Sequence, residues 1–399
     1  MGDLKELLDG REIVLCAGPG GVGKTTVSSA LALAAAMTGR RVVVLTIDPA
    51  RRLADALGVS LGDSARRIDP DLLARAGVTL RGELSALMLD PAKTLDELVA
   101  RIAPSPAVGA RLLNNTLYRH ISRAVSGTIE YTAVEMLYEL RRQGAYDLII
   151  VDTPPSKNVI DFIHAPQWAL RFMDERILKW FLLLDPTLPA GGFGQSLIKR
   201  TGRVVFDVLG RVFGREFLGD ITEFMRAIET MAHEFRLRAD TIQALLRSPE
   251  CAFLVITSCD DFVLRDAAFL RSEILRQGIH FGGFVVNRMH VGSGLHDPRR
   301  AAMALAAAGA GHPAAERLAS KLVGAGAELD RQARADELAV ARLREAADWD
   351  GFVGELPVLD HDVHDLRAVA ELAGHLVAPL APAQGAAEPE SQGASRSRG

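Results

Sequence analysis

Residues Gly18-Pro19-Gly20-Gly21-Val22-Gly23-Lys24-Thr25 match the pattern G-x-x-x-x-G-K-[ST] at every fixed position, and this segment constrains the fold of the 399-residue chain most tightly. A short apolar run, Ile13 to Ala17, precedes it, and a helical pattern from Lys24 to Met37 follows. Strand, glycine loop and helix are the setting in which backbone wraps a phosphate. Glycines allow close approach without Cβ obstruction, successive N–H groups point inward, and the positive end of the helix lies behind them. On this pattern Gly18, Gly20, Gly21, Val22 and Gly23 form the phosphate loop. Lys24 reaches the β- and γ-phosphates, the Thr25 hydroxyl binds Mg²⁺, and Thr26 contacts the α-phosphate. Gly18, Gly20 and Gly23 also satisfy G-x-G-x-x-G with Asp48 ending the next strand, as in a dinucleotide site. That reading explains neither Lys24-Thr25 nor the later strand ending in Asp152.

Two acidic strand ends complete the pattern. Leu148 to Val151 is apolar and runs into Asp152-Thr153-Pro154-Pro155. A hydrophobic strand ending in aspartate brings a carboxylate to the Mg²⁺ shell, where Asp152 would hold a metal-bound water. Thr46-Ile47-Asp48-Pro49-Ala50-Arg51-Arg52 ends the β-branched run Val42 to Ile47. Asp48 there can orient the attacking water, accept its proton, or sit in the metal shell; capping the following helix is the other role open to it.

Further strand candidates are Leu84–Leu89, Phe253–Thr257 and Gly282–Val286. Continuous apolar strands separated by helical segments indicate an α/β fold with a doubly wound, mainly parallel sheet, which binds ligands at the carboxyl ends of its strands. We expect residues 1–161 to form the first part of a nucleotide-binding core, 162–247 a helical insertion, 248–380 the second part of the core, and 381–399 a disordered tail. In the insertion, Ile221, Phe224, Met225, Ile228, Met231 and Phe235 follow helical spacing. The stripe either packs on the core or lines a groove for an apolar client. Residues 300–345 are alanine-rich and read as helical.

The net charge of −4 and a pI near 6.2 offer no basic field for nucleic acid. Residues 1–13 are charged and lack the apolar centre of a signal peptide, and no run is long and apolar enough to cross a bilayer. A cytoplasmic protein is expected, acting on any membrane through a partner. The three cysteines, Cys16, Cys251 and Cys259, show no CxxC spacing. Asp360-His361-Asp362-Val363-His364-Asp365 is rich in possible ligands, but adjacent residues do not all face one ion, and helix capping or a base-contacting loop explains the run better. Thr257-Ser258-Cys259-Asp260 lacks the lysine of a guanine-recognition motif, so ATP is expected over GTP.

Taken together, Gly-x-Gly-Gly-Val-Gly-Lys-Thr-Thr, Thr-x-Asp-Pro-Ala and Val-Asp-Thr-Pro-Pro resemble the ArsA family. That family holds the arsenite-pump-driving ATPases and the factors that target tail-anchored membrane proteins, and it groups with the MinD and nitrogenase iron-protein ATPases. The resemblance covers most of residues 10–375, including Val286-Asn287-Arg288 and Leu356-Pro357-Val358-Leu359. It implies a Mg²⁺-dependent ATPase that closes as a dimer around ATP and opens on hydrolysis, coupled to an anion transporter or a hydrophobic membrane-protein client. It further implies that Asp48 positions the attacking water, that Asp152 begins a second switch, that Asn287 hydrogen-bonds adenine, and that the loop from Pro357 packs on the base.

Two departures stand out. The family usually carries a lysine after the first glycine of the loop, which crosses the dimer to the partner's phosphates; here that residue is Pro19. Hydrolysis is then slow, or an arginine such as Arg51 or Arg52 substitutes, or a paralogous partner supplies the lysine in a heterodimer. In the last case the chain is a weakly active nucleotide-binding scaffold or chaperone-like subunit of that heterodimer; in the others a homodimer stays open. The three cysteines also form no thiolate cluster of the kind a soft arsenite centre needs.

Overall fold

The computed structural model describes residues 4–48, 52–124, 128–154, 156–172, 215–309 and 311–377. The strands are β1 (Ile13–Ala17), β2 (Arg41–Thr46), β3 (Arg66–Arg67), β4 (Glu83–Met88), β5 (Leu148–Asp152), β6 (Cys251–Thr257), β7 (Phe281–Met289) and β8 (Val353–Pro357). They form one eight-stranded sheet in the order β3-β4-β2-β5-β1-β6-β7-β8. Every pairing is parallel except the short β3–β4 contact. The expected doubly wound sheet is therefore present, with a two-residue antiparallel edge added.

The helices before β5 are α1 (Leu4–Leu8), α2 (Lys24–Met37), α3 (Arg52–Leu57), α4 (Pro70–Arg75), α5 (Pro91–Ile102), α6 (Pro106–Asn114), α7 (Thr116–Ala124) and α8 (Thr128–Gln143). After it come α9 (Ser156–Phe172), α10 (Arg215–Leu246), α11 (Asp261–Arg276), α12 (Pro298–Ala307), α13 (His312–Ala347) and α14 (Leu366–Val377). Several begin on a side-chain cap followed by proline: Asp69, Asp90 and Asp297 each accept from a first-turn N–H at 2.8–3.1 Å. Such caps satisfy otherwise orphaned amides, and proline tolerates the first turn because it has no N–H to lose.

The strand residues alternate between two cores, as a pleat requires. Ile13, Leu15, Val43, Leu45, Ile149 and Val151 face one layer, which takes in buried residues of α5, α8, α9, α10, α11 and α13. Val14, Cys16, Val42, Val44, Leu148 and Ile150 face the other, with α1, α2, α3 and α14. Central strands buried on both faces have no polar alternation, which is why they read as continuous apolar runs.

The apolar stripe of α10 is core. Phe224, Ile228, Met231 and Phe235 are all buried, and the Phe235 ring stacks on Tyr131 of α8 with centroids 5.0 Å apart. The remainder of the expected insertion, 173–214, lies outside the described residues, as does the expected tail, 381–399. The alanine-rich segment forms α12 and α13, as expected. Among the described residues no helix is long and apolar enough to cross a membrane.

Candidate functional site

β1 delivers the chain into the phosphate loop at the carboxyl edge of the sheet, with β5 on one side and β6 on the other. Two glycines are dictated by geometry. A Cβ on Gly18 would lie 2.1 Å from the Ile256 carbonyl oxygen, so β6 leaves no room for any side chain there. Gly23 caps α2 in the left-handed region at φ 89°, and a Cβ on it would meet Asn287 Nδ2 at 2.5 Å. Asn287, near the end of β7, donates from that Nδ2 to the Val22 carbonyl at 2.9 Å, and its own Oδ1 accepts from the Arg288 N–H at 3.0 Å. The asparagine expected at the base thus also clamps the loop. Arg288 sits at φ 62°, a left-handed conformation that a non-glycine residue seldom adopts.

Lys24 opens α2 and folds back over the loop, donating from Nζ to the carbonyls of Gly18 (3.1 Å) and Pro19 (2.9 Å). Burial lowers its affinity for the proton, and the charges of Asp152 and Asp48 partly restore it. Thr25 follows, and its hydroxyl donates to Asp152 Oδ2 at 2.7 Å. Thr26, next along α2, is half-buried.

Asp152 is the centre of the arrangement. It is 1% exposed, and its Oδ2 also accepts from the Thr46 hydroxyl at 3.1 Å. Its Oδ1 is buried with no hydrogen-bond partner among the described residues. Burial pushes the carboxyl up to about 6, against the pull of Thr25, Thr46 and Lys24. An unpartnered buried carboxylate oxygen is costly, and a donor such as a metal-bound water would remove that cost. A threonine hydroxyl and a carboxylate are hard oxygen donors of the kind Mg²⁺ prefers, so the residues present fit that ion.

Asp48 lies just past β2. Its N–H is held by Thr46 Oγ1 at 3.3 Å, and its Oδ2 stands 3.9 Å from Arg52 Nη1. Thr46 therefore joins the two acidic strand ends. Residues 49–51, including Arg51, lie outside the described residues. Pro357 ends β8 beside Met289, and the next N–H, of Val358, bonds the Met289 carbonyl at 2.9 Å. That places Pro357 on the β7 side of the loop, as Asn287 is.

Two contributors carried no assigned role in the sequence reading. Thr46 bridges Asp152 and Asp48, and Thr153 donates its hydroxyl to the Cys16 carbonyl at 2.8 Å, fixing the turn after β5. The available signal was a hydroxyl residue beside each acid. The cysteines stay apart from this chemistry. Burial pushes the thiols of Cys251 and Cys259 up to about 12, and that of Cys16 higher still, so none is poised as a thiolate ligand. Asp365 of the acidic run accepts from the Ala368 N–H at 2.9 Å, capping α14.

The family model of anion-transporting ATPases matches residues 11–294, which span the loop, both acidic strand ends and Asn287. The chain belongs to the anion-transporting ATPase family. Similar proteins carry two kinds of name. ATPase get3 of Neurospora crassa is 29% identical over 199 residues, 47% of this chain and 56% of its own length. ATPase GET3 of Ajellomyces dermatitidis is 30% identical over 235 residues, 56% of this chain and 65% of its own. A protein of Aquifex aeolicus named putative arsenical pump-driving ATPase 1 is 24% identical over 287 residues, 69% of this chain and 63% of its own. The matched stretches thus span between about half and two thirds of these relatives.

Proposed function

We propose that this member of the anion-transporting ATPase family hydrolyses ATP with Mg²⁺, and that the hydrolysis opens and closes a dimer. One observation carries the reading: the Thr25 hydroxyl sits 2.7 Å from a buried Asp152 whose second oxygen has no partner among the described residues. In nucleotide-binding α/β proteins that pairing is the protein half of a magnesium–triphosphate site.

Each residue then has a task. The amides of the loop from Gly18 to Gly23 hold the phosphates, and Lys24 exchanges the Gly18 and Pro19 carbonyls for β- and γ-phosphate oxygens. Thr25 through its hydroxyl and Asp152 through its carboxylate would hold Mg²⁺, which would supply positive charge against the phosphates. Asp48 orients the attacking water, Asn287 turns to adenine, and Pro357 packs against it. Positioning and charge do most of the work in such transfers. Relatives named for arsenical pump driving and for GET3 suggest two outputs, an anion transporter or a hydrophobic membrane-protein client.

Pro19 favours a second reading. It brings no charge to a partner's phosphates, so the chain would act as a weakly active nucleotide-binding subunit beside a lysine-donating paralogue. Steady-state turnover tests both. We expect slow hydrolysis by the purified chain, abolished in Lys24→Ala, strongly reduced in Asp48→Asn, and accelerated by such a paralogue if the second reading holds. Equal rates for wild type and Lys24→Ala would falsify the enzyme assignment.

A further inference from the structure

A second cation stands beside Asp48. Arg52 opens α3, its side chain is 71% exposed, and its Nη1 stands 3.9 Å from Asp48 Oδ2. Asp48 is tied through the Thr46 hydroxyl to Asp152, and Asp152 to the Thr25 hydroxyl, so Arg52 stands at the edge of the same cluster of residues. Pro19, in the loop itself, offers no charge at all. Asp48 is meanwhile the carboxylate expected to hold water, and here it faces a guanidinium.

We propose that Arg52 is a phosphate-binding residue of this site, which turns from Asp48 to the γ-phosphate when a nucleoside triphosphate docks. The proposal rests on the ATPase reading above. The chemistry favours the exchange. An ion pair this exposed is weak and screened, so little opposes its opening. A phosphate offers the guanidinium fork two oxygens in a bidentate, charge-assisted contact, which one carboxylate oxygen at 3.9 Å does not. During hydrolysis the water oxygen bonds the γ-phosphorus as the bond from that phosphorus to the β,γ-bridging oxygen breaks. ADP leaves with the electron pair, and the water proton passes by way of Asp48 to the phosphate product. Charge spreads over the γ-oxygens as this happens, and an arginine held on them stabilises the transition state more than the ground state. The chain thereby carries in cis the cation that its loop lacks.

The test is turnover and ATP affinity for wild type, Arg52→Ala, Arg52→Lys and Lys24→Ala, each with and without added guanidinium chloride at low millimolar concentration. We expect Arg52→Ala to lower kcat about 10²- to 10³-fold while ATP affinity by calorimetry falls far less. Arg52→Lys should lie between, and guanidinium should restore part of the Arg52→Ala rate but none of the Lys24→Ala rate. Rescue distinguishes a cation at the phosphate from a merely structural residue. Turnover lost in Lys24→Ala yet unchanged in Arg52→Ala overturns the Arg52 assignment alone. So does an Arg52→Ala loss that guanidinium leaves untouched. Equal wild-type and Lys24→Ala rates overturn the ATPase reading with it.

Discussion

Asp152→Asn is expected to make the nucleotide-free protein more stable at neutral pH while removing its hydrolysis. Burial holds the Asp152 carboxyl up at about 6, against an ordinary 3.8, although Thr25, Thr46 and Lys24 all favour the charged form. A group whose folded-state value lies above its unfolded-state value supports the fold fully below the unfolded value, and that support is lost as pH rises through the folded one. The window here runs from 3.8 up to about 6. At roughly 1.4 kcal/mol per pH unit, the wild type gives up about 3 kcal/mol across it. Asparagine never ionises, and its oxygen still accepts from Thr25 and Thr46. Its NH₂ meets the partnerless surroundings of Oδ1, which takes back about 1–2 kcal/mol. The net gain above pH 7 is then about 1–2 kcal/mol. Urea unfolding of both proteins from pH 4 to pH 8, free of metal and nucleotide, measures it. The difference should grow through the window and level off above it. A difference independent of pH, or a variant less stable than wild type at pH 8, refutes the argument that this carboxylate is kept charged at a cost to the fold.

Other substitutions probe the supports of the loop. Gly18→Ala places a methyl where only 2.1 Å separates it from the Ile256 carbonyl, so β1 and β6 must part. We expect a loss of about 1–3 kcal/mol in chemical unfolding, with ATP binding lost by calorimetry. Asn287→Ala leaves the Val22 carbonyl without its donor and should cost about 1–3 kcal/mol, with weaker nucleotide binding; unchanged affinity would show that the clamp does not shape the loop. Arg238→Ala removes the guanidinium that bonds Glu135 at 2.6 Å, reaches Glu139 at 3.3 Å and lies 4.7 Å over the Tyr138 ring. Glu135 is 2% exposed, so we expect about 3–5 kcal/mol of destabilisation by thermal or urea unfolding, and a loss under about 1 kcal/mol would contradict it.

The central strands were legible because burial on both faces leaves no polar alternation to confuse the pattern. β1, β2, β4, β5, β6 and β7 all overlap their apolar runs; β2 and β4 begin and end one residue early, β6 begins two residues early, and β7 runs three residues further. The two edge strands were not legible. β3 is the pair Arg66–Arg67, exposed and paired in the sheet to two residues of β4. β8 spells Val-Gly-Glu-Leu-Pro, and glycine, glutamate and proline all argue against a strand except at an edge, where a missing N–H goes unused. In the site, the loop and both aspartates follow from local spacing. The Asn287–Val22 bond joins residues 265 apart, and no local pattern encodes it. Thr46 was hidden for a different reason: a β-branched residue in a strand reads as a strand former, and only the coordinates show its hydroxyl turned to Asp152.

One carboxylate oxygen ties the site to the rest of the molecule. Asp152 Oδ2 collects a hydroxyl from α2 and another from β2, while the orphaned Oδ1 awaits a donor. A ligand that satisfies Oδ1 and draws the Thr25 hydroxyl away shifts the balance between α2 and β5 without breaking the tie to β2. β5 continues through Thr153 and Pro154 to α9, whose Val159, Phe162 and Ile163 share a core with Tyr131 of α8 and Phe224 and Phe235 of α10. Such interiors are close-packed, so a displaced α9 is not absorbed locally. The Arg238 pairs with Glu135 and Glu139 also fix register, because they bind α8 to α10 as one unit. Asp152 is in this way joined to α10 by a continuous packed route through β5, α9 and α8.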